Sequence, residues 1–266
     1  MKLNLVPART GVLWVRTGLK AFARQPFAFI SLFFFFMALV SIASQIPLIG
    51  GILALMLLPT MTLGLMAAAA QASGPERPPA GTVFLAALNA IRTDARPMLV
   101  LGGLYAFLFL VVMGISALAD GGQFAKAYLF GGPLTRELAE TTEFQVALWI
   151  TLALYLPLSL AFWHAPALVH WHKVPAAKSL FFSFVACFKN FGALTVFGLV
   201  WVGVCMASGI VLSLVASLLV AVGAMGVGDG ASAAGGAVMV GGALVMAAMF
   251  FTSTWFTFRD SFNAEP

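Results

Sequence analysis

His164, His170 and His172 are all the histidines of the chain, and they fall within nine residues of one another. Imidazole is the commonest transition-metal ligand, so metal binding is the first chemistry this cluster suggests. On a helix, positions 170 and 172 point about 200° apart and position 164 lies well over a turn below 170, so the three rings cannot converge without unwinding. No Asp, Glu or Cys stands close in sequence to complete a ligand set. The expectation is that no metal is bound. His170 and His172 are then interfacial side chains, and His164 is hydrogen-bonded between helices.

Other chemistry is equally thin. No G-x-S-x-G turn frames a serine, and Gly235, Gly236, Gly241 and Gly242 lack the strand-to-helix setting of a phosphate loop. Glu137, Glu140 and Glu143 recur at spacings of three, which would give a short helix one acidic stripe, and a solvated surface accounts for them. No residue is assigned a catalytic or cofactor-binding role, and the chain is expected not to be an enzyme. Pro59, Thr60, Thr62, His164 and Pro166 form a candidate cavity, because interrupted membrane helices can expose carbonyls to a ligand; simple kinks are the competing reading.

The elements that must position these residues follow from composition. Of 266 residues 62% are hydrophobic and 9% charged, whereas a soluble domain carries charge on about a quarter of its positions. Soluble and disordered classes are excluded. Six stretches free of Asp, Glu, Lys and Arg cover residues 27–46, 48–70, 98–119, 146–169, 193–222 and 237–258. Each can cross roughly 30 Å of hydrocarbon as a helix, the only open-chain geometry that satisfies its own backbone there. Since no span contains a charged residue, an ion-coupled pump is disfavoured.

Charge placement sets the expected orientation. Lys2, Arg9, Arg16, Lys20, Arg24, Arg77, Arg92, Arg96, Lys173, Lys178, Lys189 and Arg259 all fall on one side of the six spans. Lys126 and Arg136 fall on the other, with Asp120, Glu137, Glu140, Glu143 and Asp229. The positive-inside rule then places both termini in the cytoplasm. The six tryptophans sit mostly near span ends, as an aromatic belt would. Gly223–Gly236 reads as a flexible outer loop. Ser213, Ser217 and Ala221, and Ala237 with Gly241, read as close-packing faces.

Three amphipathic segments, residues 8–25, 82–96 and 176–190, precede the odd-numbered spans and read as interfacial helices on the cytoplasmic side. In the first, Val12, Val15, Leu19 and Phe22 lie beside a basic stripe; in the second, Phe84, Leu85, Leu88 and Ile91 face away from Asn89, Arg92 and Arg96, with Pro97 marking the turn into the membrane. In the third, Leu180, Phe181, Phe184, Val185 and Phe188 oppose Ser179, Ser183 and Asn190. Two readings stand: the apolar faces pack against the bundle, or they meet lipid. Arg16, Lys20, Arg24, Arg92, Arg96, Lys178 and Lys189 are the candidate contacts to lipid headgroups. Cys187 is expected on the third of these helices and Cys205 inside a span, so they are not expected to form a disulfide.

The expected fold is therefore all-α: a polytopic membrane protein forming one integral membrane domain over residues 1–266. Six transmembrane helices and three interfacial helices recur as a three-fold pseudo-repeat. Phospholipids are the expected partners, with a further membrane protein or a second copy of the chain as the protein partner. No nucleic-acid contact is expected, because the cations are scattered in short segments beside apolar runs.

The segments MKLNLVPARTGVLWVRTGLKAFARQP, HAPALVHWHKV, KSLFFSFVACFKNFGA and FTFRDSF together resemble a family of bacterial six-helix inner-membrane proteins that carries a locus-tag name. The family is also similar in layout to the integral membrane domain found beside glycerophosphodiester phosphodiesterases. The resemblance runs from Met1 to about Phe262 and is most specific in the third unit. It implies six helices and an inner-membrane location, and it carries no assigned activity or catalytic residues.

Overall fold

Backbone groups in hydrocarbon must be paired within their own segment, so long apolar runs with no alternation of period two fold as helices. The computed structural model describes residues 2–74, 76, 78–221 and 229–262. In chain order the helices are α1 (Thr10–Arg24), α2 (Pro26–Ser44), α3 (Gly50–Ala72), α4 (Ala80–Thr93), α5 (Ala95–Asp120), α6 (Gln123–Phe130), α7 (Arg136–Glu140), α8 (Thr142–Trp163), α9 (Ala165–His172), α10 (Ala176–Lys189), α11 (Phe191–Ala221) and α12 (Asp229–Ser261). Among the described residues the only strand-like pairing is an isolated antiparallel bridge, Leu3 with Phe262. Six segments are long and apolar enough to cross a membrane: Pro26–Ser44, Gly50–Ala72, Ala95–Asp120, Thr142–His172, Phe191–Leu219 and Val238–Ser261. They coincide with the six charge-free stretches to within a few residues.

The chain forms two compact units. The first contains Met1–Met37, Gly64–Asn89 and Asn190–Pro266. Within it α1 packs against both α11 and α12, and two glycines set the approach. A Cβ at position 11 would lie 2.3 Å from the Ala193 carbonyl oxygen, and one at position 18 would lie 2.3 Å from the Ser253 Cβ. Trp14, between them, is fully buried and donates its indole N–H to Asp260 Oδ2 at 2.9 Å. Trp201 donates to Ser253 Oγ at 3.1 Å, and Trp255 is buried as well. These three tryptophans are therefore core anchors and not members of an interfacial belt, because their apolar rings find a dry pocket and two of their N–H groups a fixed acceptor.

The second unit contains Ala38–Leu63 and Ala90–Lys189. Its core pairs α5 with α8, and α10 packs against α8 and α9. Tyr105, Phe109, Tyr155 and Phe162 form an aromatic cluster with ring centroids 5.0–6.1 Å apart. Span four is broken at His164, just before Pro166, which cannot donate to the preceding turn. Ser183 of α10 repairs the break: its hydroxyl accepts the His164 N–H at 2.9 Å and donates to the Leu160 carbonyl at 2.8 Å. Pro59 and Pro157, by contrast, lie inside unbroken α3 and α8.

Three expectations change here. The turn into span three falls at Asp94, and Pro97 sits in the first turn of α5, where a missing N–H costs nothing. Residues 229–236, expected in a Gly-rich loop, are the opening turns of α12, where Ala231, Ala233 and Ala234 favour helix; residues 223–228 of that loop lie outside the described residues. Ser213 and Ser217 are exposed and pack against no other helix among the described residues. They line a shallow groove on α11 with Met206, Gly209, Ile210 and Leu214, and Ser217 donates its hydroxyl to the Ser213 carbonyl at 2.9 Å. Of the companion positions, Ala221 is exposed, Gly241 is half-buried, and the side chain at 237 lies outside the described ones.

Candidate lipid-facing site

The three short amphipathic helices α1, α4 and α10 are each followed, after a single residue, by a span: Gln25 between α1 and α2, Asp94 between α4 and α5, Asn190 between α10 and α11. All three joints are polar, and each ties down a distant segment. Gln25 Nε2 donates to the Pro78 carbonyl. Asp94, buried, accepts from His170 Nδ1 at 2.5 Å and from Lys173 Nζ at 3.3 Å. Asn190 donates from Nδ2 to the Asn4 carbonyl at 2.9 Å and to Ser261 Oγ at 3.2 Å, while its Oδ1 accepts the Val6 N–H at 3.0 Å. An amide or carboxylate at a helix junction offers hydrogen-bonding capacity that the interrupted ladder leaves unused. Helix, polar joint and span thus recur three times along the chain.

The faces of these helices run against the simplest amphipathic rule. On α10 the buried face is Ser179, Ser183, Ala186 and Cys187, while Phe181 and Phe188 are each 65% exposed and Lys178 and Lys189 flank them. On α4 the buried stripe is Val83, Ala87 and Ala90, and Leu85 and Leu88 point outward beside exposed Arg92. On α1 the buried positions are Gly11, Trp14, Val15, Gly18, Ala21 and Phe22, with Val12 and Leu13 exposed beside Arg16 and Lys20. The apolar faces are therefore divided on all three helices: Phe84 and Ile91 on α4, Leu180, Phe184 and Val185 on α10 and Leu19 on α1 are half-buried, while Leu85, Leu88, Phe181, Phe188 and Val12 are exposed. The physical reason is that close helix approach selects small residues when no water is there to drive large ones inward.

The expected headgroup residues divide accordingly. Arg16, Lys20, Arg92, Arg96, Lys178 and Lys189 are exposed, and Arg24 is half-buried. Arg24 Nη1 donates to the Ala72 carbonyl at 3.1 Å and to that of Gly74, closing the C-terminus of α3. A cavity of about 480 Å³ in the first unit is lined by Thr17, Lys20, Arg24, Ser73, Phe256 and Arg259, among others. Arg259 entered the sequence reading only as a marker of sidedness.

The five candidate cavity residues are placed as follows. Pro59 is buried and Thr60 half-buried; Thr62, also half-buried, returns its hydroxyl to the Leu58 carbonyl at 3.0 Å. His164 and Pro166 are buried, with His164 Nδ1 lying 3.7 Å from Cys187 Sγ. The cavities described here are lined by other residues. His164 thus joins two helices, and His170 finds a carboxylate 76 positions away that sequence spacing could not reveal. Among the described residues no three His, Cys, Asp or Glu side chains are grouped as metal ligands.

Cys187 is fully buried on the inner face of α10, and burial pushes its thiol up from 9.0 to about 12, opposed by the Ser183 hydrogen bond. Folding therefore retains this proton, so the associated stability is present below pH 9.0 and is lost as pH rises toward about 12. N-ethylmaleimide added to the folded protein in detergent at pH 7.5 is expected to alkylate exposed Cys205 and leave Cys187 unmodified until denaturant is added. Mass spectrometry reads the adducts; rapid labelling of Cys187 in the folded protein would contradict its placement.

Six apolar spans, short helices at their ends and a strand-free architecture among the described residues define an all-α polytopic membrane protein. The chain is 37% identical over 273 residues to the probable inner membrane protein BTH_II0599 of Burkholderia thailandensis, covering 100% of this chain and 95% of that protein. It belongs to the family of that protein. No family model matches the chain, and no solved structure matches it.

Proposed function

We propose that the protein is a non-enzymatic component of the bacterial inner membrane, with both termini cytoplasmic, acting as an accessory, scaffold or lipid-homeostasis element. It meets phospholipids through the outward faces of α1, α4 and α10. The observation that carries this reading is α10: phenylalanines at 181, 182 and 188 face outward between Lys178 and Lys189, the pattern of a helix lying at an acyl-chain and headgroup boundary. The inner-membrane assignment draws on the relative's name and on the six spans; the cytoplasmic assignment draws on the lysine and arginine count. A membrane protein or a second copy of the chain is the protein partner this reading allows.

The second reading, a carrier for lipid-like or neutral solutes, has one feature in its favour. An apolar cleft of about 440 Å³ lies between α11 and α12, lined by Ser208, Leu212, Gly242, Met246 and Phe250 among others.

Native mass spectrometry after extraction in mild detergent tests the first reading. The wild-type chain is expected to carry anionic phospholipid. The double variant Lys178→Gln with Lys189→Gln is expected to lose several-fold of it, at about 1 kcal/mol per cation near the headgroups. A lipid-free chain that moves a neutral solute across proteoliposomes would favour the carrier.

A further inference from the structure

We propose that the cavity formed by Lys20, Arg24 and Arg259 is a binding site for a phosphoryl group, of the kind borne by an anionic phospholipid headgroup. The inference rests on the lipid-contact reading above and names the chemistry of one site within it. The three cations come from different turns, Lys20 and Arg24 from α1 and Arg259 from the end of α12, while Ser73 closes the cavity after the last turn of α3.

Charge is the first argument. The lining contains three cations and no carboxylate. Arg259 pairs with Asp260, whose Oδ1 lies 2.8 Å from its Nε, and Lys20 and Arg24 take no part in the ion pairs among the described residues. Asp260 is also held by Trp14 through its other oxygen. Arg259 is steadied over the Phe256 ring at 4.9 Å. Arg24 uses only Nη1 for the carbonyls that end α3, so most of its five donors are uncommitted. Lys20 is exposed and makes no ion pair among the described residues. Two guanidinium groups with spare donors and a mobile ammonium suit a tetrahedral oxyanion.

Depth is the second argument. Arg24 stands two residues before Pro26, where span one begins, and Arg259 stands two residues before Ser261, where span six ends. Ala72, also in the lining, closes span two. The cavity is thus at the level where helix ends meet headgroups, and about 480 Å³ is within the range that holds small ligands. The hydroxyls contribute little charge recognition, since Thr17 Oγ1 donates to the Leu13 carbonyl at 2.8 Å and Ser73 Oγ to that of Ala69 at 2.6 Å. The cations carry the selectivity.

The test is isothermal titration calorimetry of the full chain in detergent with dioctanoyl phosphatidate, dioctanoyl phosphatidylcholine and inorganic phosphate. Phosphatidate is expected to bind, and Lys20→Gln, which removes an exposed side chain without disturbing packing, is expected to weaken it about tenfold. Arg259→Gln is expected to do the same, whereas Arg259→Lys retains most of the affinity. Competition by inorganic phosphate at equal affinity supports the site with a free anion as its source; phosphatidate binding without phosphate competition supports it with a lipid as its source. Equal binding of phosphatidylcholine, or unchanged phosphatidate affinity in Lys20→Gln, overturns the proposal. Lys178→Gln with Lys189→Gln should leave this titration unchanged, so failure of the α10 reading and failure of this cavity show up in different variants.

Discussion

Replacing Gly18 with leucine is expected to lever α1 away from α12 and to lower the stability of the detergent-solubilised protein more than any other single change considered. A Cβ at position 18 would lie 2.3 Å from the Ser253 Cβ and 2.6 Å from its Cα. The obstacle is backbone and a first side-chain carbon, so no rotamer change relieves it. Overpacking a close interface costs about 1–3 kcal/mol and sometimes more, and the upper end applies here because Gly11 fixes the same helix against Ala193 and Phe197. The loss propagates to Trp14, whose bond to Asp260 depends on α1 staying seated, and to Lys20 and Arg24, which α1 presents to the cationic cavity. Unfolding by a denaturing detergent, followed by tryptophan fluorescence, measures it. A midpoint equal to wild type would show that α1 is not seated as described.

The second large effect is expected at Asp94. Its carboxylate is buried, and it is held by His170 and by Lys173 at the end of span four. Asp94→Ala removes the acceptor for both. Breaking a fully buried pair costs about 3–5 kcal/mol, but Lys173 is 64% exposed and can return to water, so about 2 kcal/mol is expected. Asp94→Asn keeps the shape and some hydrogen bonding and should recover part of the loss. Thermal unfolding in detergent distinguishes the two variants; equal midpoints for wild type and alanine would remove Asp94 from the account.

Asp94 also shows where sequence reading stopped. It lies between Arg92 and Arg96, so its neighbours in the chain make it look like part of a solvated charged stripe. Its real partners come from span four, and no local pattern announces them. Arg259 is a similar case: a lone cation after the last span marks sidedness in one dimension and joins Lys20 and Arg24 only when α12 packs against α1. The spans themselves were legible because hydrocarbon imposes a length and forbids charge, two constraints that leave a direct trace in the residue order. Pro166 offered a kink in span four, but so did Pro59 in span two, and only the first interrupts its helix. Which side of a short amphipathic helix faces inward was not legible. The phenylalanines of α10 were visible as a stripe, but their direction depends on whether the outer medium is water or acyl chains. The small residues Ser179, Ser183 and Ala186, at spacings of four and three, were the signal of the packed face.

One measurement addresses that orientation. A nitroxide placed by Phe181→Cys or Phe188→Cys in a Cys205→Ala background, with the protein reconstituted in bilayers, reports collision with oxygen from the lipid phase and with a nickel chelate from water. Cys187 can stay, since its thiol is buried and is expected to escape the label. High oxygen and low nickel accessibility at both positions is the predicted result; strong nickel accessibility, or immobilised labels shielded from both reagents, would contradict it.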